Sequence, residues 1–458
     1  MKTAAKKTSL KTTSLRRRDR RGVIFIIAIG VIVILAGLVL SFSRDMRSET
    51  TASGNRLSQM QADAIELGAE QWVMAQIDLA ASGTSSSSTT SSSSTTGAAS
   101  ASTPDSWTLV YNTPAEAIQV GSGYFWLIRP NETTDQDRDY GIVDESSKLN
   151  LNLASIYTVS NTTSTSVLAS LPTNLTQDVI DAMADWMNPE GKATTDGAET
   201  DYYSSLQPVS YDAKNQPYET VDELLLVKGV TLPALYGYDL NRDGVVTDAE
   251  RTAAQSDGQD YSAVNDSRGI AQYLTVFSTG GTALQTATTG GAGGRGGRGG
   301  RTGGATGGAT GGAAGGTTKA ATGLVNLNTA SENVMIAMGL TQQQADAITT
   351  ARSGQAFAAL SDVQTALSGA AAPATFLQQS TLSSYQYSAD IVAVSGDGRA
   401  YKRVKIVVDC TNTPCKIVYR RDMTGLGWPL DEQIRTQLRS GQGIEPGTTG
   451  NSVTSGVK

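Results

Sequence analysis

The chain has 458 residues, enough by length for two or three domains, yet 48 glycines, long Ser/Thr tracts and six Phe leave little core-forming material. It contains no histidine, which excludes Ser-His-Asp and Cys-His catalysis, HExxH zinc sites and most catalytic zinc arrangements. The formal charge of −7 is uneven: nine of 36 basic and one of 43 acidic residues precede Val23, leaving 27 against 42, a net −15, beyond Gly22.

Met1 to Gly22 is a polar, basic leader with Arg16, Arg17, Arg18, Arg20 and Arg21 at its end. Val23 to Leu40 then carries no charged or strongly polar side chain, long enough as a helix to cross a bilayer of about 30 Å. The basic flank places this end in the cytoplasm and the rest across the membrane. A secretory signal peptide would have a shorter apolar core and a small-x-small site behind it. Leu57, Met60, Ala64, Leu67, Trp72 and Met74, with Ile65 and Ile77, continue at helical spacing, predicting one helix over 23–81 with its second part packed on a domain.

Residues 82–100 are almost wholly Ser, Thr, Gly and Ala, a flexible linker. In 101–152, Trp107–Tyr111, Tyr124–Ile128 and Asp139–Glu145 read as strands, being β-branched or aromatic and bounded by Gly, Pro and Asn. Residues 153–279 read as helical: Thr176 as an N-cap before an amphipathic stretch to Trp186, and a second helix from Val221 ended by Gly229. A Gly/Ala/Thr linker at 280–318 precedes a second helical unit at 319–375. Residues 376–430 return to strands, Ser388–Ser395, Tyr401–Asp409 and Lys416–Arg420, with Gly396-Asp-Gly398 as the turn. The tail at 431–458 is polar and reads as loose. Strands on both sides of helices imply one sheet with the helical portions inserted into it.

Asp239-Leu-Asn-Arg-Asp-Gly-Val-Val-Thr-Asp-Ala-Glu250 fits a twelve-residue calcium loop. Asp239, Asn241 and Asp243 offer side-chain oxygens, Gly244 allows the sharp turn, Val245 offers its carbonyl, Thr247 binds directly or through water, and Glu250 is the bidentate ligand. The plainer reading is a polar Asp-Gly turn. With no second such loop, a single site that stabilises a domain is expected rather than a sensor. Asp196 to Tyr203 and Asp257 to Asp260 offer further carboxylates, read as solvated. Cys410 and Cys415, the only two cysteines, can close a small loop in an oxidising compartment; the alternative is two free thiols.

Leu324–Ser331, Val334–Thr341, Ala345–Ile348 and Arg352 follow a helix-hairpin-helix pattern, echoed at Leu224–Thr231. The second glycine of a phosphate-binding turn is replaced by Thr341 or Thr231, and Gln342, Gln343, Gln344 and Asp346 give no cationic face, so a structural hairpin is expected. Arg295, Arg298 and Arg301 form an RGG-like segment in a linker on the acidic side of the chain. No nucleic-acid partner is expected of a portion at −15.

Taken in order, these residues resemble the K-type minor pseudopilins of the bacterial type II secretion system. Arg21-Gly22-Val23 resembles the prepilin-peptidase site, where cleavage follows Gly22. Gly141–Asn152, Gly197-Ala-Glu199 with Tyr202-Tyr203, Glu223–Gly229 and Val325–Ala330 resemble the internal motifs. The resemblance implies an α+β, pilin-like fold: a long N-terminal helix on an antiparallel sheet, with an inserted, mainly helical domain of SAM-like or helix-hairpin-helix units. It further implies leader removal with methylation of the new N-terminus, and a place at the tip of a periplasmic pseudopilus held in the inner membrane. Its partners would be the I- and J-type minor pseudopilins, the major pseudopilin and the prepilin peptidase. Pilins usually carry glutamate at the fifth mature position; Ile27 stands there, as in K-type members. Calcium is associated with the inserted domain of the family, and Asp239–Glu250 gives that local support. No enzymatic constellation is present. A membrane-anchored calcium-binding adhesion module is the alternative function.

Overall fold

The computed structural model describes residues 20–82, 105–158, 165–173, 175–261, 266–279, 281–284 and 323–445. The basic leader up to Asp19, the Ser/Thr linker from residue 83, the Gly-rich linker from residue 285 with Arg295, Arg298 and Arg301, and the end of the tail lie outside the described residues.

The chain divides into two units at Ser58. Helix α1, Arg20–Ala81, contributes to both. In the first unit it is the one helix among the described residues long and apolar enough to cross a membrane. In the second unit it buries Ala62, Ile65, Ala69, Val73, Ile77 and Ala81, spaced three or four residues apart. This corrects the phase expected from the large residues, because Met60 and Leu67 are exposed. The buried stripe is built from alanine and β-branched side chains, which let the helix axis approach the sheet closely. A Cβ at Gly123 of the sheet would collide with Ile65.

Trp107–Tyr111 is not a strand. It lies in α2, Ser106–Asn112, whose N-cap Asp105 accepts from Thr108 N at 3.1 Å. The aromatic and β-branched composition outvoted that cap in the sequence. Strands β1 (Ile118–Val120), β2 (Gly123–Pro130), β3 (Arg138–Tyr140) and β4 (Val143–Asp144) follow. A short strand β5, Leu149–Asn150, leads into the insert.

The insert contains α3 (Gln177–Met187), α4 (Thr200–Ser204), α5 (Leu232–Tyr236) and α6 (Asp248–Ser256). Thr176 occupies the N-cap position of α3, but its side chain makes no capping bond. The helix expected from Val221 is a 3-10 turn, Val221–Leu226, opened by a Thr220/Glu223 capping box. Strand β6, Leu274–Thr275, pairs in parallel with β5. After the second linker come β7 (Val325–Asn326), α7 (Glu332–Ala337), α8 (Gln342–Gly354), α9 (Leu360–Ala366), α10 (Ala374–Gln378) and β8 (Ser380–Thr381), with β7 parallel to β8. Thr341 spends its hydroxyl capping α8, and Arg352 is buried, donating to the carbonyls of Leu327 at 2.9 Å and Ala330 at 2.6 Å. The basic residue of the hairpin pattern is therefore structural.

Strands β9 (Gln386–Val394), β10 (Tyr401–Asp409) and β11 (Lys416–Asp422) complete a seven-stranded sheet of order β1-β2-β9-β10-β11, with β3 on β2 and β4 on β9. Strand β2 pairs directly with β9, Trp126 opposite Val392, and β4 also pairs with β9, so the chain between β4 and β9 is an insertion into one antiparallel sheet. Period-two alternation sorts the faces. Phe125, Leu127, Ala389, Ile391, Val404 and Ile406 pack against α1. Trp126, Val392 and Val394 pack on a final helix, α11 (Glu432–Arg439), through Ile434 and Leu438. This corrects the loose tail: Asp431 caps α11, and the i,i+4 pair Ile434/Leu438 is its apolar face. The insert has a separate core, including Leu224, Met183, Trp186, Leu327 and Phe376. Buried Asp144 ties it to the sheet, accepting from Asn326 Nδ2 at 2.8 Å and Thr329 Oγ1 at 2.6 Å.

Candidate metal centre

The loop from Asp239 to Glu250 joins α5 to α6 and turns back over β2. Gly244 has φ +84°, and a Cβ there would lie 2.7 Å from Pro130 Cα, so the sixth position accepts only glycine. Successive backbone amides point inward at the first ligand positions. Asp239 accepts from Asp243 N at 3.0 Å and Gly244 N at 2.9 Å; Asn241 Oδ1 accepts from Asp243 N at 2.8 Å; Asp243 Oδ1 accepts from Val245 N at 2.8 Å. Val245 and Val246 are buried, and Val246 N donates to Asp135 O at 2.6 Å, anchoring the loop.

The donor set is hard oxygen, of the type calcium takes. Asp239 and Asp243 are buried. Burial first, and then the neighbouring Asp243, push Asp239 up to about 7; burial also raises Asp243, against the pull of Arg138. Two buried carboxylates held side by side are the arrangement a divalent cation relieves. The later ligands are less converged. Glu250 Oε2 accepts from Thr247 N at 2.9 Å and Thr247 Oγ1 at 2.8 Å, while Oε1 accepts from Asn241 N at 3.4 Å. Thr247 and Glu250 thus serve as a capping box for α6. Among the described residues, the one group of three acidic or cysteine side chains with ligand atoms within 4.8 Å of one another is Asp78, Cys410 and Cys415. Those cysteines are joined as a disulfide, with Cα atoms 4.4 Å apart, between β10 and β11, and Asp78 of α1 accepts from Cys415 N at 2.8 Å.

Two cations not foreseen in the sequence hold the loop on the sheet. Arg138 of β3 pairs with Asp243 at 3.2 Å. Arg403 of β10 is fully buried; it grips Asp390 of β9 at 2.7 Å and donates to the carbonyls of Asn241 and Arg242, each at 2.6 Å. Arg242, at φ +59°, stacks on Tyr236 at 3.7 Å and pairs with Asp222 at 3.1 Å. The available signal was the alternation in β10: charges at 403 and 405 share one strand face, while Val404, Ile406 and Val408 on the other are apolar. Gly22 and Val23 lie in α1, well away in sequence from this site.

Residues 147–236, from the 3-10 turn after β4 through α5, match a family model. The family is type II secretion system protein K. The calcium loop begins just beyond the matched segment. A chain of the GspK-GspI-GspJ complex from the enterotoxigenic Escherichia coli Type 2 Secretion System, solved as a crystal structure, is similar at 9% identity over 82% of this chain and 99% of that chain, with a TM-score of 0.42. A comparison with curated proteins finds no match.

Proposed function

We propose that this chain is a K-type minor pseudopilin, a non-enzymatic subunit that helps to start or cap a pseudopilus driving protein export across the outer membrane. The observation that carries the reading is the protein K match at 147–236, placed within an insertion between two paired strands of a sheet backed by α1. Val23 to Leu40 then serves as a temporary anchor in the inner membrane, with the sheet and insert in the periplasm. I- and J-type minor pseudopilins are the proposed partners. Cleavage after Gly22 would free Val23 as the new N-terminus.

Asp239, Asn241, Asp243, the Val245 carbonyl, Thr247 and Glu250 are the proposed calcium ligands. Bound calcium supplies the positive charge that offsets two buried carboxylates. Arg403 fixes the backbone of Asn241 and Arg242, so that the ligand loop keeps one orientation on the sheet. The role is structural: a rigid connection between insert and sheet. N-terminal sequencing of the membrane-extracted protein, after co-expression with a prepilin peptidase, tests the reading. A chain beginning at Val23 supports it; a chain that keeps its leader favours the anchored adhesion module.

A further inference from the structure

A cavity of about 300 Å³ lies in the second unit between the sheet and the inserted helices, at the small end of the range for ligand pockets. Across its floor, Asp390, Lys405 and Arg421 stand opposite one another on β9, β10 and β11, and therefore on one face. Two of the three are already paired. Asp390 holds Arg403 at 2.7 Å, and Arg421 pairs with Asp222, which also holds Arg242. Lys148 pairs with Glu145 at 3.1 Å. The remaining acids of the wall are also committed: Asp144 to Asn326 and Thr329, Asp243 to Arg138, Asp239 to loop amides, Glu132 to Tyr111 and Arg352. Lys405 alone makes no hydrogen bond or ion pair among the described residues; Glu145 and Asp390 attract it from a distance without contact.

Next to it on the same face is Tyr419, opposite Val407, whose ring packs on Phe277 and whose hydroxyl is likewise without a partner among the described residues. Lys405 is half-buried, and an ammonium without a contacting counter-charge in a half-open cavity is incompletely hydrated, a cost that one anionic group would relieve. Two donors on one wall suit the two oxygens of a carboxylate. The geometry points to this cavity as a binding site for a small monocarboxylate, held between Lys405 Nζ and the Tyr419 hydroxyl. Burial first, and then Lys148 beside it, hold the Lys405 ammonium below the usual lysine range, a cost that a bound anion removes. The calcium loop lines another part of this cavity, through Asp239 and Asp243, but neither contacts Lys405 or Tyr419, and the proposal does not rest on the secretion role.

The test uses the full chain in detergent, titrated with sodium acetate against sodium chloride at constant ionic strength, with melting temperature and calorimetric heat as readouts. Acetate should raise the melting temperature of the wild type through saturable, millimolar binding. Lys405→Met should lose that rise and be at least as stable as the wild type without acetate, because it removes an unpaired charge. Tyr419→Phe, which keeps the ring packing, should weaken acetate by up to about tenfold. No acetate-specific heat in the wild type overturns the proposal. So does an undiminished response in Tyr419→Phe together with Lys405→Met; if Lys405→Met does not fold, wild type and Tyr419→Phe decide.

Discussion

Removing the Arg403 side chain should destabilise the second unit about as much as emptying a position of its core. Its guanidinium is fully buried and donates to both oxygens of Asp390 and to two loop carbonyls. Arg403→Met keeps the volume and removes every donor. Breaking a buried ion pair from one side costs about 3–5 kcal/mol, since the partner carboxylate stays behind uncompensated. Asp390 is 14% exposed along the cavity, so the low end, about 3 kcal/mol, applies. At about 2–4 °C per kcal/mol for a unit of this size, the melting temperature should fall by about 6–12 °C. Asp390→Asn in the same chain should restore part of the loss, because the stranded charge is gone. Thermal and urea unfolding of the full chain in detergent, followed by far-UV circular dichroism, reads both effects. An Arg403→Met protein within about 1 kcal/mol of wild type would show that the loop is not fastened to the sheet through this residue.

Asp243→Ala should abolish any calcium-dependent rise in melting temperature; a rise equal to wild type removes the loop as the calcium site. Glu66 of α1, which shares Arg420 with Glu70, is pushed up to about 7 by burial and then by Glu70. A raised carboxyl favours the folded state while protonated, so stability should be full below about pH 4.5 and decline as pH rises through 7. Glu66→Gln should flatten that decline in pH-dependent unfolding, and an unchanged slope contradicts the assignment. Leu438→Ala, by emptying the buried face of α11, should cost about 2–5 kcal/mol in the same assay, whereas a loose tail would show no effect.

The elements with strong periodicity were legible. The β9–β10 hairpin followed from alternation around Gly396-Asp-Gly398, and α3 from its apolar face. The inserted arrangement followed from strands flanking helices. Three features were not, each for a physical reason. The buried stripe of α1 is largely alanine and β-branched, and its alanines carry less hydrophobic weight than Met60 and Leu67, which face outward. In α2, the Asp105 cap and tertiary burial of Leu109 and Val110 overrode a strand-like composition. Helix α11 is too short and too polar to register except as the pair Ile434/Leu438 behind an Asp cap.

The site shows the same division. Local sequence contains the loop turn, because Gly244 and the inward amides depend on neighbours a few residues away. It cannot contain Arg138 or Arg403, which reach the loop across 105 and 162 residues of chain. The unpaired Lys405 becomes visible only when the cross-strand register places Asp390 and Arg421 beside it and the other elements account for their charges.

Assembly as a K-type minor pseudopilin can be measured by co-expressing the full chain with I- and J-type minor pseudopilins and purifying it through a tag on this chain alone. Both partners should co-purify in fixed ratio and remain bound through gel filtration at micromolar concentration. Elution of this chain without either partner, under conditions where all three are folded, would contradict it.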